Sequence, residues 1–153
     1  DKCVAAGKRM IEAAKVLGVP ILLTEQNPAG LGRTWPSVAE LLKDVPLVEK
    51  NTFSACTDSV LGHLRQWARP NILVMGVEAH VCVQQSVLDL IRRGYTVFLC
   101  ADAVSSRRPL DAETAIERMR QAGAIITTTE SAAFELLGVA GTEAFKKILK
   151  IVK

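Results

Sequence analysis

Five short, mainly apolar runs, each parted from the next by a stretch with helical spacing, constrain this chain more than any other feature of it. The runs are Val19–Thr24, Val45–Lys50, Asn71–Val77, Thr96–Cys100 and Ala124–Thr128. Most are continuous rather than alternating, the pattern of strands buried on both faces. Between them, Val4, Met10, Ile11, Ala14 and Leu17 share one face of a helix over 4–17, which Gly18 closes. The segment 27–33 reads as a loop, and Val38–Leu42 as a short helix. Thr57-Asp58-Ser59 supplies helix-start chemistry ahead of Val60, Leu61, Leu64 and Trp67. Residues 82–93 form an amphipathic helix ending in Arg92-Arg93-Gly94, a cationic last turn and a glycine stop. Asp111 is read as the cap of a helix through Gln121, and helices over 131–137 and 142–153 follow. Such alternation implies an α/β protein, a three-layer α/β/α arrangement around a mostly parallel sheet. The first element is a helix, and the strand expected before it is missing.

With 153 residues the chain suits a single domain, taken as 1–153. A hydrophobic share of 49% and a charged share of 23% exclude disorder, collagen-like repeats and a coiled coil. The net charge of +3 is too small to mark a nucleic-acid or membrane surface. No apolar run reaches the roughly 18 residues of a membrane span, and no secretory h-region appears. The expectation is an intracellular protein, cytoplasmic or mitochondrial, with no membrane partner. Cys3, Cys56, Cys82 and Cys100 form no CxxC pair and have no histidine at zinc-ligand spacing. They read as free thiols of a reducing compartment, with Cys3, Cys56 and Cys100 as small buried hydrophobes. Neither a metal nor a cofactor is expected.

Ligands of such sheets bind beyond the carboxyl ends of the strands. There, Gly76-Val77-Glu78-Ala79-His80-Val81-Cys82 reads as a strand end, a turn, and a cysteine opening a helix. Unpaired N–H groups at a helix start favour a thiolate and can hold an oxyanion. Lys50 ends a neighbouring strand, where its ammonium can face that thiolate or carry a proton. Each residue also has a plainer reading, the cysteine as packing and the lysine as hydrated. His80 is a rival base, but residues two apart at a helix start diverge. Glu25 is a carboxylate at a strand end, with a loop-neck role as its alternative. Gln26, Trp35 and Phe53 are candidate pocket-lining residues. Gly30-Leu31-Gly32 opens no helix with dinucleotide-binding spacing. Asp102 is read as holding nearby backbone, and Arg107 and Arg108 as solvated or bridging subunits.

Lys50-Asn51-Thr52-Phe53-Ser54-Ala55, followed by Gly76 through Val83, resembles the isochorismatase-like cysteine hydrolases. That superfamily includes nicotinamidases and N-carbamoylsarcosine amidohydrolase. The segments Thr24–Gly32, Ala101–Arg107 and Glu117–Ala124 are similar to its isochorismatase domain-containing branch. Some members of that branch carry the label of mitochondrial-associated ribonuclease. The resemblance spans nearly the whole chain and implies the Rossmann-like isochorismatase fold and an Asp–Lys–Cys triad. Lys50 and Cys82 match the lysine and the nucleophile. It also implies a cis peptide at Val77–Glu78, with the N–H groups of Glu78 and Cys82 forming the oxyanion hole. Ala79 stands where the wider family commonly has threonine. The aspartate, which the family carries at the end of its first strand, has no match. The expectation is that its segment lies outside this sequence, rather than that the protein lacks the base.

The implied activity is a cysteine-nucleophile hydrolase acting on a small-molecule amide or related carbonyl through a thioester. A C–N bond is favoured over an ester or vinyl ether. A homo-oligomer is also implied. One alternative is a non-catalytic binding or regulatory protein on the same fold. Another is a ribonuclease, against which stand the lack of histidine pairs, carboxylate clusters and aromatic–basic interleaving.

Overall fold

The computed structural model of the chain describes residues 2–153; Asp1 lies outside them. Helix α1 (Lys2–Val16) buries Ala6, Met10, Ile11, Ala13 and Ala14 along one face. Gly18 then takes a left-handed φ of 66°, and the Val19 N–H returns to the Ala14 carbonyl. Strand β1 (Leu23–Gln26) starts four residues after the apolar run does. Pro20 brings no N–H to a ladder, and pairing opens when the Leu23 N–H reaches the Pro46 carbonyl. Two single turns follow, α2 (Pro28–Leu31) inside the expected loop and α3 (Pro36–Ala39), each with proline pre-setting its first turn. Strand β2 (Leu47–Lys50) leads to α4 (Asp58–Trp67), capped by the Thr57 hydroxyl accepting the Val60 N–H.

The second half runs β3 (Asn71–Val77), α5 (Gln84–Arg92), β4 (Thr96–Ser105), α6 (Pro109–Gln121), β5 (Ile125–Thr127), α7 (Thr129–Leu137) and α8 (Glu143–Val152). All strand pairs are parallel, as expected, but they fall into two groups: β1 with β2, and β3-β4-β5. Among the described residues no strand precedes α1, and β1 and β3 each keep one edge without a strand partner. Helices cover both faces. Val97 and Leu99 of β4 join the cluster under α4, α5 and α6, while Cys100 and Ala103 join the one under α1, α7 and α8. This is the three-layer α/β/α arrangement.

Several boundaries differ from the sequence reading. β4 does not stop at Cys100. Val74 pairs with Leu99 and Gly76 with Val104, so Met75 stands against the four residues Cys100–Ala103. That bulge carries Asp102 to α7, where it accepts the Thr129 N–H at 2.9 Å and hydroxyl at 2.7 Å. Asp111 is not the cap of α6. The helix starts two residues earlier at Pro109, leaving Asp111 in a first turn whose dipole favours it. Of the three cysteines read as buried, only Cys100 is; Cys3 and Cys56 are half-buried.

Candidate active site

The carboxyl ends of β1 and β2 and the turn after β3 meet at one rim. Cys82 does not open an α-helix as expected. It lies in a π-helical turn, Ala79–Val83, that precedes α5, and the Val83 N–H reaches back five residues to the Glu78 carbonyl at 3.3 Å. Such turns are frequent at functional sites. The Val77–Glu78 peptide is cis. Glu78 and His80 fasten the turn from outside. Arg107 Nε donates to both Glu78 carboxylate oxygens at 3.1 Å, a partner that the solvated reading of this arginine missed. His80 Nδ1 and the Ser106 hydroxyl lie 2.9 Å apart, and Nε2 is 3.6 Å from Glu78 and 4.0 Å from Asp111. The imidazole is thus engaged with the β4–α6 connection.

Lys50 is the last residue of β2, at this rim, and is only 7% exposed. Its ammonium donates to Gln26 Oε1 at 2.9 Å, the Thr52 carbonyl at 3.0 Å and the Phe53 carbonyl at 2.8 Å. Burial pushes its pKa down, opposed by the neighbouring Cys82 sulfur, which stabilises the charged form. The half-buried Cys82 Sγ lies 3.9 Å from the same Gln26 oxygen. In turn, Gln26 Nε2 donates to the Asn51 carbonyl at 2.8 Å, which fixes the amide with its oxygen toward the lysine. The β1–β2 register makes this possible by setting Gln26 opposite Lys50.

Among the expected lining residues, Gln26 therefore joins the lysine and the cysteine directly. Phe53 contributes its carbonyl, while its side chain is 53% exposed. Trp35, on the segment leading into α3, is 69% exposed. Glu25 takes the loop-neck role. Only 7% exposed, it accepts from the Thr34 N–H, the Thr34 hydroxyl and Arg33 Nη1 at 2.8–2.9 Å. Those bonds, the Thr34 N–H foremost, hold its carboxyl below the usual range against the opposing effect of burial, leaving it a poor base. Sequence reasoning passed over Asn51, Thr52 and Ser86, which act through main-chain groups or bridge distant segments. No group of three or more His, Cys, Asp and Glu side chains able to hold a metal occurs among the described residues.

Comparison with known proteins adds to this geometry. Residues 1–131 match the isochorismatase domain. Isochorismatase family protein 1B of Dictyostelium discoideum is 46% identical over 95% of this chain and 73% of its own length. Isochorismatase domain-containing protein 2 of Xenopus laevis is 39% identical, covering 97% of this chain and 72% of its own. A solved structure of MAR1 ribonuclease from Caenorhabditis elegans superposes with a TM-score of 0.93 at 39% identity, over 99% of this chain and 78% of that one.

Proposed function

This chain belongs to the isochorismatase family, and from that premise we propose that it is a cysteine-nucleophile hydrolase of a small-molecule amide or related carbonyl. The observation that carries the reading is the sharing of one oxygen, Gln26 Oε1, by a buried ammonium and a thiol. Lys50 is the charge partner and proton carrier, and Cys82 the nucleophile. The Cys82 thiolate adds to the carbonyl carbon, and the C–N electron pair leaves with the amine, which takes a proton from Lys50. Water then adds to the thioester and loses its proton to the neutral lysine; the C–S bond breaks, releasing the acid and the thiolate. The main-chain N–H groups of Glu78 and Cys82, at the two ends of the turn, are the donors for the intermediate's oxyanion. Desolvation, which lowers the lysine's proton affinity, suits it to this exchange.

The experiment is an ammonia-release assay over a panel of small primary amides, with acid quenching and mass spectrometry of the protein. The expected result is an acyl mass on the Cys82 peptide and loss of turnover in Cys82→Ala. Turnover unchanged in Cys82→Ala contradicts the reading.

A second reading is a pocket on the same fold that binds without turnover. It predicts ligand binding that Cys82→Ala leaves intact and no acyl adduct. The Caenorhabditis elegans relative's name favours ribonuclease activity; RNA cleavage lost in Cys82→Ala and retained by wild type supports that third reading. Exposed Leu31, Trp35 and Phe53, on segments following β1 and β2, support a homo-oligomer.

A further inference from the structure

The Lys50 ammonium sits on two carbonyls, of Thr52 and Phe53, so its position depends on what holds the segment 51–56. Ser86 holds it. One turn beyond Cys82 on α5, Ser86 is 6% exposed. Its hydroxyl donates to the Cys82 carbonyl at 2.6 Å and accepts the Ala55 N–H at 2.8 Å. A single buried oxygen thus joins the main chain of the cysteine to the segment that cradles the lysine. Only a group that both donates and accepts can do this, which restricts the position to a hydroxyl-bearing side chain of small volume.

A second tether lies on the same helix face. Ser54 hydrogen-bonds Asp89, three residues past Ser86, and its hydroxyl also accepts the Cys56 N–H at 3.2 Å. Three consecutive residues of the segment, Ser54, Ala55 and Cys56, are therefore bound through Ser86, Asp89 and each other, while the two before them hold the ammonium.

We propose that Ser86 is a positioning residue: its buried hydroxyl sets the separation between the Lys50 ammonium and the Cys82 sulfur, with Ser54 and Asp89 as the supporting tether. The inference rests on the reading of Lys50 and Cys82 as reacting partners. Without the hydroxyl, the segment and the turn each lose a buried hydrogen bond, and the ammonium drifts from the thiolate. Displacements of about 1 Å in such pairs can change rates by up to about a hundredfold.

The test is iodoacetamide alkylation of the intact chain at about pH 6.5 and about pH 9.5, on either side of the usual thiol range. Mass spectrometry follows all four cysteines in wild type, Ser86→Ala, Ser86→Thr and Ser54→Ala. In Ser86→Ala, Cys82 should react about tenfold or more slowly at the lower pH yet near the wild-type rate at the higher. Ser86→Thr should restore the wild-type profile, and Ser54→Ala should slow the low-pH reaction by a smaller factor. A role in stability alone would instead speed every cysteine at both pH values. Should Ser86→Ala not fold, Ser54→Ala, which leaves α5 untouched, decides by the same readout. A selective wild-type Cys82 with unchanged profiles in the folded variants overturns the inference and leaves the proposed function standing. A wild-type Cys82 no faster than the other cysteines overturns both.

Discussion

Replacing Lys50 by methionine removes the ammonium while keeping most of the side-chain volume. The Gln26 oxygen is 2.9 Å from the lysine nitrogen and 3.9 Å from the Cys82 sulfur, so those two atoms are at most about 6.8 Å apart. At an effective dielectric of about 20, opposite unit charges attract by about 2.4 kcal/mol at that distance and about 4 kcal/mol at 4 Å. Lys50 is buried but Cys82 is half-buried, so solvent screens the pair in part and these figures are upper values. The smaller figure is equivalent to about a 60-fold factor in rate. Iodoacetamide alkylation followed on the Cys82 peptide measures it, with half-buried Cys56 as the internal reference. The expected outcome is a severalfold fall or more, up to about that size, at Cys82 with Cys56 unchanged. A Lys50→Met protein whose Cys82 reacts within about twofold of wild type refutes the electrostatic argument.

Three further outcomes test other parts of the structure. Burial foremost, with Asp102 nearby, pushes the Cys100 thiol up to about 12. From about pH 9 upward the unfolded chain sheds this proton and the fold keeps it, so stability falls by about 1.4 kcal/mol per pH unit; urea titrations from pH ~8 to ~11 should lose that slope in Cys100→Ala. Glu25→Gln should lower stability by about 1–3 kcal/mol at neutral pH, because the Thr34 and Arg33 bonds favour the carboxylate. Since the native pKa is depressed, that stabilisation is present above the unfolded value and vanishes as pH falls through the native one, so wild type and variant should converge in acid. Asp102→Ala strips Thr129 of its partners on α7 and should cost about 1–3 kcal/mol in a denaturant melt. Its Cys82 alkylation rate should match wild type.

What could be read from the sequence was what local pattern encodes. Continuous apolar runs announced parallel strands, and a charged residue ending one of them drew attention to Lys50. A glycine turn running from a strand into Cys82 did the same for the thiol. The start of β1 was misjudged because apolar burial and ladder pairing are different things: Val19–Leu22 pack without entering a strand. Continuation of β4 past Cys100 was hidden because Asp102, inside the bulge at Cys100–Ala103, interrupts the continuous apolar run by which the strand is recognised. Ser86 was invisible for another reason. Its partners are the Cys82 carbonyl and an N–H 31 residues away, main-chain groups that every residue carries. Glu25 showed itself only as a carboxylate at a strand end; the bonds from Thr34 and Arg33 decided its role.

The account turns on whether one thiol of four is set apart by its surroundings. Competitive alkylation of the wild-type chain with limiting iodoacetamide at about pH 6.5, well below the usual thiol range, answers that directly. The account predicts that label accumulates on Cys82 ahead of Cys3, Cys56 and Cys100, the last of which is fully buried. Equal labelling of Cys82 and the half-buried Cys3 and Cys56 contradicts it.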